Sequence, residues 1–268
     1  MQILILGGSG RTGQLIISEA LARGHSITAL VRNPSLFSCP DPSTSSTSTS
    51  TGKGGSATAA AATINSHPNL TLVRGTPLNP TDVDSAFVAG PTPTQAVVVA
   101  LNARRASDSP FAAPHPTDTP ARMMADSVAN ARATMRRHRK DNEGGMQQRC
   151  RLVVMSSSGA GSSFAGLNCL MKGVFTHSNM SLQLEDHNAV DAETRADFQG
   201  GEGRLDFDFI FVRPAMLAEG PAAPVKAYPE DGKGAGFMPK ITRASVANFI
   251  VDAVEEPIFV GKSPVITN

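Results

Sequence analysis

The first thirteen residues constrain this chain more than any other stretch. Ile3-Leu-Ile-Leu6 runs straight into Gly7-Gly-Ser-Gly10-Arg-Thr-Gly13, and Gln14-Leu-Ile-Ile-Ser-Glu-Ala-Leu-Ala-Arg-Gly24 follows with helical spacing and a closing glycine. Strand, tight turn and helix are therefore expected in that order. Glycines at 7, 10 and 13 divide the work of such a turn: a sharp reversal, a close backbone approach to a pyrophosphate, and close packing of helix on strand. The helix start then faces an anion, because its unpaired N–H groups and positive dipole end suit a diphosphate held across Ser9 to Thr12.

A glycine cluster also occurs in plain chain reversals, so its context matters. The second strand, Ser26-Ile-Thr-Ala-Leu-Val-Arg32, ends about twenty residues after the turn, where dinucleotide folds place the group that reads the adenosine ribose. An acid there would accept from a ribose 2′-hydroxyl. Arg32 would instead pair with a 2′-phosphate, with help from Arg11, so NADP is expected over NAD. The plainer reading is a solvated arginine at a strand end.

A chain of 268 residues can bury a substantial core, and one domain spanning 1–268 is expected. A formal net charge of +1 gives no global reason to expect nucleic acid or an anionic membrane, which leaves a small molecule as partner. No apolar run approaches the roughly twenty residues of a membrane span. The first strand begins at once, without room for a signal peptide, so a cytoplasmic location is expected. Cys39, Cys150 and Cys169 are too few and too scattered for a metal cage or a disulfide framework.

From 38 to 66 the sequence is serine, threonine, proline, glycine and alanine with little that is large and apolar. Such a tract does not recover the entropy of ordering, and reads as a flexible insertion between the second and third strands. Leu70-Thr-Leu-Val-Arg-Gly75 is the third strand; Thr76 follows at its exit, and Thr81 is positioned to cap a short helix. Gln95-Ala-Val-Val-Val-Ala-Leu101 is apolar throughout, as a central parallel strand must be, and its exit at Leu101-Asn102 falls on the edge a cofactor would cross. A proline-rich loop from 103 to 120 is longer than a connection needs and suits the lining of a substrate site. Thr119-Pro120 reads as a helix start, and the basic end of that helix, Arg136-Arg-His-Arg-Lys140, as cations complementing its dipole. Further strands are expected at Arg151–Met155, Phe207–Val212 and Ser263–Thr267, with a helix capped by Thr242. The alternation predicts a single α/β domain, a doubly wound, mostly parallel Rossmann sheet of six to seven strands.

The glycine turn, Leu-Val-Arg32, the serines at 156 to 158, Glu185-Asp-His187, Phe211-Val-Arg-Pro-Ala215 and the tail helix from Ile241 together resemble the atypical short-chain dehydrogenase/reductases. The resemblance is nearest to their NAD(P)H-binding branch, with the NmrA-like proteins and the flavin (biliverdin-IXβ) reductases. It covers the chain apart from 38–66 and 103–120. The superfamily carries a tyrosine four residues before a lysine; here Lys172 has Asn168 at that spacing, and the one tyrosine, Tyr228, falls elsewhere. Without that phenol, an acceptor that spreads charge over a flavin, quinone or enone is favoured over an isolated ketone.

The resemblance further implies that Ser157 and His187 contact substrate, with Asp191 able to orient the imidazole, and that Lys172 touches the cofactor. Leu101, Asn102, Pro214 and Met216 would frame the nicotinamide, and Met216 stands where the branch has a second histidine. Each has a plainer reading: Ser157 as a sheet-edge cap or a cofactor contact, His187 as a surface histidine, Lys172 as a solvated lysine. The function expected is NADPH-dependent hydride transfer, with an NADP-sensing regulator or an NADP-containing isomerase or epimerase as alternatives.

Overall fold

The computed structural model of the chain describes residues 1–39, 67–107, 109–113, 115, 120–140, 149–199 and 207–268. Strand β1 (Gln2–Leu6) is buried along its whole length, and its side chains alternate: Ile3 and Ile5 join one apolar cluster, Leu4 and Leu6 another. A strand apolar on both faces must be covered on both. Around it lie β2 (Ser26–Val31), β3 (Leu70–Arg74), β4 (Ala96–Val99), β5 (Cys150–Met155) and β6 (Phe207–Pro214). Two short strands follow, β7 (Met216–Ala218) and β8 (Lys226–Tyr228), and then β9 (Lys240–Thr242) and β10 (Val265–Thr267). The main sheet runs β3-β2-β1-β4-β5-β6-β10-β8; the first seven are parallel, as expected of a doubly wound fold, and β8 adds an antiparallel edge. Strands β7 and β9 pair separately. Successive strands step one way from β1 through β3 and the other way from β4, so the winding reverses between β1 and β4.

One face is covered by α1 (Arg11–Ala22) and α6 (Arg243–Glu255), which contribute Ile16, Ile17, Val246 and Ile250 to the core. The other is covered by α2 (Pro80–Val88), α3 (Met123–Lys140) and α5 (Met180–Gln199), through Val83, Met124, Val128 and Val190. Helix α4 (Cys169–His177) packs on α5 in a smaller cluster of Phe175, Ala160 and Leu184. On the first face, Arg151 of β5 sends Nη1 to the carbonyls of Ala253, Val254 and Glu256, placing a cation on the negative end of α6.

Two helix starts differ from the sequence reading. Pro80 takes the first helical position of α2, so the cap falls one residue earlier than Pro80, on Asn79, whose side chain accepts from the Thr81 N–H at 3.0 Å. Helix α3 begins at Met123 and is capped from α5: Asp186 accepts from the N–H groups of Met124 and Ala125 at 2.8 and 2.9 Å. The proposed cap Thr119 lies outside the described residues, as does the 38–66 insertion from residue 40 onward. The basic end of α3 is met by acids, with Arg136 on Asp197 and both Arg137 and His138 on Asp84. Thr242 caps α6 as read. The three cysteines are free thiols, and no helix among the described residues is long and apolar enough to cross a membrane.

Candidate functional site

The glycine turn is built by close approaches that a side chain would block. Gly7 has φ +92°, and a Cβ on it would lie 2.6 Å from the Ala100 carbonyl oxygen at the exit of β4. A Cβ on Gly13 would run into the Gly7 carbonyl oxygen, so helix α1 sits on the turn only because position 13 has no side chain. Between them, the Gly10 N–H donates to the Gly7 carbonyl at 3.0 Å, and Gly10 caps α1 in an extended conformation with no side-chain cap. No acidic residue lies in the first turn of α1, whose N–H groups point to the carboxyl edge of the sheet. This bare cradle, with Ser9 exposed and Thr12 buried beside it, fits the diphosphate of a dinucleotide.

Strand order lays the other candidates along the same edge. Thr76 follows β3 with its N–H held by Asp82 at 2.9 Å; Arg32, exposed, follows β2; the turn with Gly7 to Gly13 follows β1. Then come Leu101 and Asn102 after β4, Ser156 to Ser158 after β5, and Pro214 to Met216 at the end of β6. A nucleotide lying with its adenosine toward Arg32 and Thr76 and its diphosphate on the turn directs its nicotinamide toward β4 and β5, across the point where the winding reverses.

A cleft of about 740 Å³ opens at that second half. Of the sequence candidates, Arg11, Leu101, Asn102, Ser157, His187, Pro214 and Met216 line it. Gly7, Ser9, Gly10, Thr12, Gly13, Arg32 and Thr76 belong to the track leading away from it, and Lys172 does not line it either. The Lys172 ammonium donates to the Ala165 carbonyl at 2.8 Å, and Asn168, at the spacing of the absent phenol, caps α4 by accepting from the Met171 N–H at 2.9 Å. Tyr228 pairs with Val265 in the sheet and is no part of the cleft wall.

His187 is buried rather than on the surface, and its ring lines the cleft. Burial and the nearby Arg213 push its pKa down to about 4, so the imidazole is neutral at pH 7. Its Nδ1 has no hydrogen-bond partner. The expected orienting role of Asp191 is not met: its two carboxylate oxygens accept from Arg213 Nη2 and Arg195 Nε, each at 2.5 Å. The physical reason is the burial of Arg213 at the end of β6, where a fully enclosed guanidinium needs a counterion more than a neutral imidazole needs an acceptor. Arg213 also donates to Ser162 Oγ and the Glu230 carbonyl, while Arg195 reaches the Glu230 carboxylate and Ser263. Gly161, at φ +55°, lies under this pair; a Cβ there would come within 2.5 Å of Arg213 Nη2.

Sequence reasoning missed Arg213 and Asp186 as structural supports of the site. The signal for the first was present: an arginine at the end of Phe207-Asp-Phe-Ile-Phe-Val-Arg213 is a cation in a strand that is apolar apart from Asp208. It also missed the hold of α5 and the residue before it on the 103–120 loop, where Gln183 donates to the Ala103 carbonyl at 3.0 Å and Asn179 to the Phe111 carbonyl at 2.9 Å. That loop does line the cleft, through Arg105 and Pro110.

Comparison with known proteins bears on the family and the fold. A family model described as NAD(P)H-binding matches residues 56–257. Among solved structures, ChuY of Escherichia coli O157:H7, described as an anaerobillin reductase, superposes with TM-score 0.62 at 15% identity, over 100% of this chain and 97% of that one. A candidate epimerase from Bacteroides thetaiotaomicron gives TM-score 0.61 at 15% identity over 99% and 96%. A candidate NADH-flavin reductase from Streptococcus pneumoniae TIGR4 gives 0.56 at 14% identity over 100% and 99%. At these identities the likeness is one of fold. No curated protein sequence matches the chain.

Proposed function

The chain belongs to the NAD(P)H-binding family, and on that footing we propose that it is an NADPH-dependent oxidoreductase that passes hydride to a conjugated small-molecule acceptor of flavin, quinone or enone type. When bound, the cofactor supplies the hydride. The observation that carries the reading is a diphosphate cradle adjoining a cleft whose proton donors are all weak ones. The hydroxyls of Ser156 to Ser158 line it, together with a His187 imidazole held neutral and with no phenol in the wall. Such donors polarise an acceptor by hydrogen bonding but do not deliver a proton as an imidazolium or a lysine-activated tyrosine would. An acceptor that spreads the incoming charge over a conjugated system needs no more, whereas an isolated ketone does.

Each residue then has a place. Arg32 pairs with the 2′-phosphate and Thr76 borders the adenosine end, while Arg11, expected to assist Arg32, instead lines the cleft beside Glu219. Gly7, Gly10 and Gly13 with Ser9 and Thr12 seat the diphosphate. Leu101, Asn102, Pro214 and Met216 frame the nicotinamide and exclude water from one side of it. Ser157 donates to the acceptor, with His187 beside it as a neutral hydrogen-bonding group. Lys172 orders the 165–172 segment through the Ala165 carbonyl and takes no part in proton transfer. The reductase descriptions of two solved relatives are in keeping with this chemistry.

Stopped-flow oxidation of NADPH across flavins, quinones, enones and simple ketones is the test. Consumption with the conjugated acceptors and not with ketones is expected. Consumption of ketones alone would overturn the reading, and tight NADP binding with no turnover of any acceptor would replace it with a nucleotide-sensing regulator.

A further inference from the structure

The geometry points to Arg105 as a specificity-determining residue that selects acceptors carrying an acidic group, a carboxylate or a phosphate ester. This rests on the reductase reading above and adds to it the charge of the substrate. Arg105 sits on the loop that follows β4 and lines the cleft. The loop is held in shape by its own backbone, with the Ala106 N–H on the Ala113 carbonyl at 3.1 Å and the His115 N–H on the Arg104 carbonyl at 2.9 Å. Gln183 of α5, the helix that carries His187, and Asn179 just before that helix fasten it. The guanidinium is steadied from within the same turn, where Nη1 donates to the Ser109 carbonyl at 3.0 Å.

What sets Arg105 apart is its counterion. The other two arginines of the cleft wall, Arg11 and Arg243, share Glu219, at 3.5 and 2.5 Å. Glu219 is the one carboxylate in that wall, and among the described residues no carboxylate pairs with Arg105. The rest of the wall is largely apolar, with Leu101, Leu167, Leu170, Met171, Phe175 and Met238. A fixed fork of N–H donors beside an apolar slot recognises a molecule with a flat apolar body and an anionic arm, since a guanidinium with one edge spent on a carbonyl still presents donors matched to a carboxylate or phosphate.

The test uses matched acceptor pairs: a naphthoquinone bearing an acetic acid side chain against its methyl ester, and FMN against riboflavin. For each pair kcat/KM is measured with NADPH, and binding is measured by calorimetry on the NADP⁺-loaded protein, which reads recognition whether or not turnover occurs. The anionic member of at least one pair is expected to be favoured roughly 10- to 100-fold, through KM and Kd. The pair that shows it tells carboxylate from phosphate. Arg105→Gln should collapse that ratio toward one, and Arg105→Lys should recover part of it. Equal binding of acid and neutral partner by the wild type, a preference that survives in Arg105→Gln, or a loss of NADPH affinity in place of acceptor preference would each overturn the assignment. Turnover of the neutral quinone without acid preference would sink this inference and leave the reductase reading standing. Acid-selective binding without any NADPH oxidation would do the reverse.

Discussion

Replacing His187 with glutamine should flatten the acid limb of the stability curve. In the folded chain the imidazole is enclosed and faces the Arg213 guanidinium, which hold its pKa at about 4, against 6.5 for an ordinary histidine. Because the folded value lies below the unfolded one, the unfolded chain binds the extra proton first as pH falls. The stabilisation is whole above pH 6.5, declines through the window down to about 4, and is gone below it. At about 1.4 kcal/mol for each pH unit, that window corresponds to about 3 kcal/mol from one side chain. Urea unfolding at pH 7.5, 5.5 and 4.5 on wild type and His187→Gln reads it directly, and the difference between the two cancels the other titrating groups. The wild type should lose about 2.5 kcal/mol more than the variant between pH 7.5 and 4.5. Parallel curves would refute the reasoning, since they would mean that the imidazole takes up its proton in the folded chain as readily as in water.

Three further substitutions probe the rest of the site. Gly13→Ala drives a methyl into the Gly7 carbonyl, so it should cost about 1–3 kcal/mol in urea unfolding and weaken NADPH binding more than tenfold by calorimetry, as roughly estimated from overpacking. Arg32→Asp should exchange a 2′-phosphate partner for a ribose partner and move the NADPH/NADH affinity ratio roughly 10- to 100-fold toward NADH. Asp191→Asn leaves the Arg213 guanidinium enclosed without its carboxylate, and a loss of about 3 kcal/mol is expected, visible as a fall in Tm.

The glycine turn was legible because its geometry is local. A glycine needed at 7 or 13 is needed by neighbours within a few residues or by the strand next door, and strand exits such as Arg32, Asn102 and Ser157 collect on one edge of any parallel sheet. The cleft wall was legible in residue type and not in partnership. His187 and Asp191 are four apart on α5 and share a face, which made them a natural pair. Which of them answered to what was decided by β6, sixteen or more residues on, whose buried Arg213 claimed the carboxylate. The start of α3 was misplaced for the same reason, since its cap arrives from Asp186, more than sixty residues away. Long-range competition for a counterion or a cap leaves little trace in spacing.

Asp186 and Gln183 give α5 a second trade. Neighbouring side chains on a helix point about 100° apart, so while His187 turns to the cleft, Asp186 grips the opening amides of α3 and Gln183 tethers the loop above. Any roll of that helix would have to drag the loop and α3 along with it. The stiffness felt by a guest molecule is thus borrowed from a carboxylate it never touches.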